Sequence, residues 1–219
     1  MSLLLFKSTK IHYLYFIMAS DTYFTVKYPS SGIYKEKGSR FISHAFPVKD
    51  PEEIREIIYR IRKQHHGARH NCYAYVLGPE RAKWRSSDDG EPSGSAGKPI
   101  LGQINARNLT DILIIVTRYF GGTLLGISGL TKAYKKAADD AIANNKIIEV
   151  TVEKSLLITF PYISMNDVMK VIKEEGITHS GQEAGSDICS MKISIRTSIT
   201  EDVIYRLSRI EGLSFRYPV

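Results

Sequence analysis

Asp111-Ile112-Leu113-Ile114-Ile115-Val116-Thr117 is the stretch on which the fold turns. Between the flanking Asp and Thr every residue is β-branched or leucine, with none of the alternation of a half-exposed strand. That pattern predicts a strand buried on both faces. Downstream, Gly121-Gly122 marks a turn. Leu130, Ala133, Tyr134, Ala137, Ala138, Ala141 and Ile142 then recur at spacings of three and four, predicting a helix with one apolar face. Upstream, residues 100–108 predict a helix and residues 72–77 a strand. Asp50-Pro51-Glu52-Glu53 carries the marks of a helix start: Asp as N-cap, Pro at the first helical position, Glu three residues on. Ile54, Ile57, Ile58 and Ile61 supply its apolar stripe, and Gly67 ends it. Residues 23–26, 32–37 and 40–48 read as strands, the last two a hairpin about Gly38.

From about residue 154 the rhythm changes. A strand (155–162), a helix (165–175), two strands (177–183 and 188–197), a helix (201–210) and a last strand (213–217) give the order βαββαβ, the ferredoxin-like pattern. The turn 184–187 joins the two middle strands. The expected division is an extension over 1–20, a first domain over 21–150 and a second over 151–219.

The chain has 219 residues, 43% hydrophobic and 24% charged, which excludes disorder and collagen-like repetition. Its net charge of +7 is uneven. Residues 1–150 carry 22 Lys/Arg against 14 Asp/Glu, and residues 151–219 carry 8 against 9. A basic first part favours a polyanionic partner, because neutralising phosphates releases counterions, although solubility alone also accounts for it. Two cysteines, Cys72 and Cys189, are too few for a disulfide framework and predict free thiols in a reducing cytoplasm. The opening twenty residues have a short apolar run interrupted by His12 and no A-x-A site, so they read as upstream of a true start at Met18. No membrane-spanning helix is expected.

The chemistry concentrates in the polar stretch from Trp84 to Pro99 and in Arg118-Tyr119-Phe120-Gly121-Gly122. The first reads as a long loop whose Gly and Ser backbone N–H groups turn toward an anion, with Arg85, Ser86, Ser93, Ser95 and Lys98 around it. Asp88, Asp89 and Glu91 could hold Mg²⁺, or the loop could merely cap its own turns. It is no Walker loop, since Gly97-Lys98 is followed by Pro99, and Gly121 to Gly126 does not give G-x-G-x-x-G. Arg118 at the end of a buried strand either meets phosphate or pairs internally with Asp88, Asp89 or Glu91. Tyr119 and Phe120 either stack on bases or sit in the core. His65, His66, His70 and Cys72 do not make a zinc site, because Gly67 breaks the helix that would align the ligands. Cys72 with His70 is a weak nucleophile–base pair. Lys132, Lys135 and Lys136 form a solvated face.

Three ordered segments resemble the signature of the YigZ/IMPACT family. They are His70-Asn71-Cys72-Tyr73-Ala74-Tyr75, Ser87 through Gly97 including Asp88-Asp89-Gly90-Glu91, and Arg118-Tyr119-Phe120-Gly121-Gly122-Thr123-Leu124-Leu125-Gly126. Ser95 stands where many members have Thr, and residues 1–20 lie outside the pattern. The resemblance implies an α+β protein. Its first domain would be an α/β sandwich with the fold of the second domain of a small-subunit ribosomal protein, followed by a ferredoxin-like domain. The pair would look like the fourth and fifth domains of elongation factor G. Eukaryotic relatives regulate translation through an additional protein-binding domain for which this length leaves no room, so that partnership is not carried over. No catalytic residue and no cofactor is implied.

The expectation is a translation-associated protein that binds RNA or the ribosome through Arg85, Ser86, Ser93, Ser95, Lys98, Arg118, Tyr119, Gly121 and Gly122, with His70, Asn71, Asp88, Asp89 and Glu91 as polar motif residues. The alternatives are a phosphate or nucleotide pocket, or a hydrolytic one, built on residues 88–91 and 118–122, and a purely structural motif.

Overall fold

The structure, a computed structural model, describes residues 21–185 and 187–217. The expected extension over 1–20, with the Met18 start, lies outside the described residues, as does Ser186 of the 184–187 turn. The chain divides into two compact units, Tyr23–Val150 and one running from Thr151 onward with Asp21 and Thr22.

The larger unit is built on a five-stranded antiparallel sheet. Its strands are β2 (Ser30–Glu36), β3 (Ser39–Pro47), β4 (His70–Leu77), β5 (Lys83–Ser87) and β6 (Ile112–Tyr119), in the order β2-β3-β6-β4-β5. β6 is central, and residues 112–118 are all buried. Its alternate residues feed two cores. Ile112, Ile114 and Val116 pack with Phe41, Cys72, Ala74 and the helix residues Ile100, Ile104, Ala133 and Tyr134. Leu113 and Ile115 pack with Ile54, Ile57 and Ile61. Thus α1 (Pro51–Gln64) covers one face, and α2 (Gly97–Ala106) and α3 (Gly126–Ala143) cover the other. The seven residues expected on the apolar face of α3 are its buried residues. Asp50 caps α1, accepting from the Glu53 N–H, and Pro51 begins the helix. Each fully buried isoleucine of α1 contributes about 1.5–3 kcal/mol relative to exposure. A separate two-stranded sheet pairs β1 (Thr22–Val26) with β7 (Ile147–Thr151).

The stretch expected as one long loop is not one. Residues 83–87 form β5, hydrogen-bonded to β4, and α2 begins at Gly97 rather than at residue 100. Only residues 88–96 remain as loop. Gly97 is where helix and strand meet, for a Cβ there would stand 2.7 Å from the Ser87 backbone nitrogen. Gly121 plays a similar part, since a Cβ there would overlap the backbone of Gly38 in the β2–β3 turn.

The smaller unit runs β8 (Glu153–Pro161), α4 (Met165–Glu174), β9 (Thr178–Ala184), β10 (Ile188–Arg196), α5 (Thr200–Ser208) and β11 (Ser214–Arg216). Its antiparallel sheet has the order β11-β8-β10-β9. Leu156, Ile158, Phe160, Met191 and Ile193 face Val168, Ile172, Val203 and Leu207 of the two helices in a core of its own. The whole is a mixed α/β protein with several antiparallel sheets. Among the described residues no helix is long and apolar enough to cross a membrane.

Candidate functional site

The three motif segments meet at one end of the five-stranded sheet. β4 starts there with His70 and Asn71, β6 ends there with Arg118 and Tyr119, and the 88–96 loop closes over them. His70 and Arg118 are cross-strand partners.

The loop is an anion-binding turn whose anion is its own. The Asp88 carboxylate accepts the backbone N–H groups of Gly94 at 2.8 Å, Ala96 at 3.0 Å and Gly97 at 2.8 Å. Burial works against the charge on Asp88, but those three N–H groups, helped by Lys98, outweigh it and hold the carboxyl below its usual range. Asp89 sits at a positive φ of 42°. Its carboxylate takes the Asn71 N–H at 2.7 Å and the Arg62 guanidinium at 2.6 Å, while its carbonyl accepts from His70 Nδ1 at 2.9 Å. Because the acceptor is a carbonyl, Nδ1 carries the proton, and the neutral His70 ring has its lone pair on Nε2. Ser95 is buried and donates to the Pro92 carbonyl at 2.7 Å, so its hydroxyl is spent inside the loop.

Beneath the loop lies an ion pair. Arg118 Nη1 donates to both Glu91 oxygens, at 2.9 and 3.1 Å, and the two side chains are 8% and 3% exposed. Of the three internal partners open to Arg118 in the sequence, the structure selects Glu91. Tyr134, wholly buried in α3, donates to Glu91 Oε1 at 2.8 Å. Cys72 Sγ lies 3.0 Å from the Asp88 carbonyl and 3.3 Å from the Tyr134 hydroxyl. Burial pushes the Cys72 thiol up to about 12 and raises the Tyr134 phenol, so both stay protonated at neutral pH and neither is an activated nucleophile. Asn71 Oδ1 accepts from Thr117 at 2.7 Å. The carboxylates of residues 88, 89 and 91 are thus committed to separate partners, and among the described residues no three His, Cys, Asp or Glu side chains group as a metal would need.

Outside this buried layer the surface is cationic and aromatic. Arg118 lies 5.6 Å from the ring centroids of both Phe41 and Phe120. Phe120, open in the sequence to a place in the core, is 58% exposed; Tyr119 is half-buried, its hydroxyl 3.0 Å from His65 Nδ1 and its ring under Arg40. Gly121 and Gly122 are exposed. Between the 67–70 segment and residues 118–120, with Leu124 at its rim, lies a cavity of about 650 Å³. Arg85 and Lys98 are exposed, as is Ser93, and Ser86 is half-buried. The site therefore brings together His70, Asn71, Asp88, Asp89, Glu91, Ser95 and Arg118. Arg85 is elsewhere: it lies opposite Tyr75, five residues along β4 from His70.

Two features escaped the sequence. Trp84, 60% exposed, lies between exposed Lys83 and Arg85 on β5, an edge strand. Arg69, exposed at the cavity wall, has no ionic or hydrogen-bond partner among the described residues. The run Lys-Trp-Arg was the available signal for the first; as a strand it sets Trp84 on one face of the edge and Lys83 and Arg85 on the other.

Fold and site define a mixed α/β protein whose sheet end is sealed by an arginine–glutamate pair beneath a self-liganded acidic loop. The chain belongs to the IMPACT family. Residues 37–142 match the Impact N-terminal domain. IMPACT family member YvyE of Bacillus subtilis (strain 168) is 37% identical over 153 residues, 70% of either chain. IMPACT family member YigZ of Escherichia coli (strain K12) is 39% identical over 116 residues, which span 52% of this chain and 57% of that one. A crystal structure of a hypothetical protein superposes with a TM-score of 0.67 at 24% identity, over 90% of this chain and 98% of the other, a likeness of fold.

Proposed function

We propose that this is a translation-associated protein that binds RNA, or the ribosome through its RNA, with the larger unit. The observation that carries the reading is Trp84, 60% exposed between two exposed cations on an edge strand. Single-stranded RNA would use a tryptophan exposed there: a base stacks on the indole, while Lys83 and Arg85, which alternate to the other face of the strand, meet phosphates of a chain that wraps the edge. The basic excess in the first part of the chain supports the same partner. Family membership supports the translation setting. The sheet order of the smaller unit supports a ferredoxin-like domain, and the helix-covered five-stranded sheet supports a ribosomal-protein-like one; fold analogy is the weaker of these supports. Cys72 and Cys189, both free and buried, support a reducing cytoplasm.

The test is fluorescence anisotropy with labelled single-stranded RNA, structured RNA and duplex DNA across a salt series. RNA binding is expected to weaken steeply with salt. The Lys83→Ala/Arg85→Ala variant should flatten the slope by about 1.4, the value for two lost contacts to a single strand. An unchanged slope, or equal affinity for every polyanion, overturns the reading.

A further inference from the structure

The cavity at the sheet end does something the edge strand does not explain. Its wall is formed by Arg69, His70, Arg118, Tyr119 and Phe120, with no acidic residue among the lining ones. At about 650 Å³ it lies within the range of small-molecule sites. Arg118 is 7% exposed, and its guanidinium is only partly used: Nη1 holds Glu91, while Nε is buried without a partner among the described residues. An orphaned buried donor costs free energy unless a ligand or water satisfies it. Glu91, for its part, is turned inward to Arg118 and Tyr134, and Asp89 is neutralised by Arg62, so neither carboxylate repels an anion arriving at the cavity. Arg69 stands at the wall with no ionic partner among the described residues. The rest of the lining is apolar: Phe120 has Arg118 near its ring at 5.6 Å and remains 58% exposed, and Leu124 is 84% exposed.

A cationic lining with a spare donor beside an exposed aromatic ring fits a ligand with a phosphate at one end and a flat apolar body at the other. We propose that this cavity is a nucleotide site, which takes a phosphate monoester on Arg69 and Arg118 and stacks the base on Phe120. His70, held by the Asp89 carbonyl through Nδ1, offers its Nε2 lone pair to a ribose hydroxyl, which donates to it. The ligand is a free mononucleotide or the phosphorylated terminus of an RNA chain, the same chemistry from two sources. The site is separate from Trp84, which pairs with Val76 six residues along β4 from His70.

The experiment is calorimetric titration of the full chain with AMP, adenosine and inorganic phosphate. AMP is expected to bind at least tenfold tighter than either fragment. Arg69→Ala, which removes an exposed side chain with no partner among the described residues, should weaken AMP at least tenfold with an unchanged melting temperature. Phe120→Ala should bring AMP down to the affinity of phosphate alone. Adenosine equal to AMP, or an Arg69→Ala variant that binds AMP as the wild type does, overturns the proposal. A parallel titration with one RNA sequence carrying a 5′-phosphate or a 5′-hydroxyl separates the sources: a preference for the phosphate assigns the RNA terminus, and equal RNA affinities with AMP still bound assign the free nucleotide. Lys83→Ala/Arg85→Ala should leave AMP affinity intact, so that loss of the edge-strand reading and loss of this one are told apart.

Discussion

Arg118 and Glu91 illustrate how one buried ion pair can organise a site. Each is buried, Arg118 Nη1 holds both Glu91 oxygens, and Tyr134 adds a second donor to Glu91. Removing one partner strands a charge in a dry environment, whereas removing both does not. Arg118→Met and Glu91→Leu are therefore each expected to destabilise the chain by about 3–5 kcal/mol, and the double variant by clearly less than the sum. Urea unfolding of the four proteins checks this, and additive losses would show that the two residues act independently. The sequence offered Asp88, Asp89 and Glu91 as partners, and nothing local distinguished them. Asp88 is claimed by three backbone N–H groups and Asp89 by Arg62 and the Asn71 N–H, choices that exist only once β4, β6 and the loop are in register. Candidate membership was legible in the spacing; the role of each residue was not.

The elements that could be read in advance were those with strong periodicity. β6 announced itself as an unbroken apolar run, α3 by its stripe, and α1 by Asp50 and Pro51. β5 was hidden because Lys83-Trp84-Arg85-Ser86-Ser87 is polar and short, and its strand character comes from the ladder to β4 rather than from its own residues. The start of α2 was hidden for a related reason: Ala96 makes no side-chain cap, so no local signal marks Gly97. Where α1 ends over the sheet, His44 and His65 stand with ring centroids 5.8 Å apart, each with a buried Nε2 lacking a partner among the described residues. Burial, and for His44 also the neighbouring His65, holds both below the ordinary 6.5. The folded chain then binds fewer protons than the unfolded one in the window below 6.5, so their contribution is complete above that value and lost as pH falls through it. Urea midpoints at pH 7.5 and 5.5 should differ more for the wild type than for His44→Gln/His65→Gln. Asp88, depressed below its usual 3.8, titrates too low to enter that window. Equal pH dependence in the two proteins would mean that this pair carries no linkage.

At the scale of the molecule, the two units have separate cores and opposite charge tendencies, with the basic excess confined to the first part of the chain. Composition and the change of element rhythm carried the expected boundary near residue 150. What composition could not supply was the placement of charge. Asp88, Asp89 and Glu91 spend theirs internally, while Lys83 and Arg85 stand exposed on either side of Trp84 along a sheet edge, and on this contrast the proposed RNA surface rests. The chain has a single tryptophan, Trp84, which makes its emission a reporter of the surface itself. Titrating the full chain with single-stranded RNA while following tryptophan fluorescence tests RNA binding at the edge strand most directly. Stacking of a base on the indole predicts saturable quenching that weakens steeply as salt rises. RNA binding seen by anisotropy with Trp84 emission unchanged would contradict it.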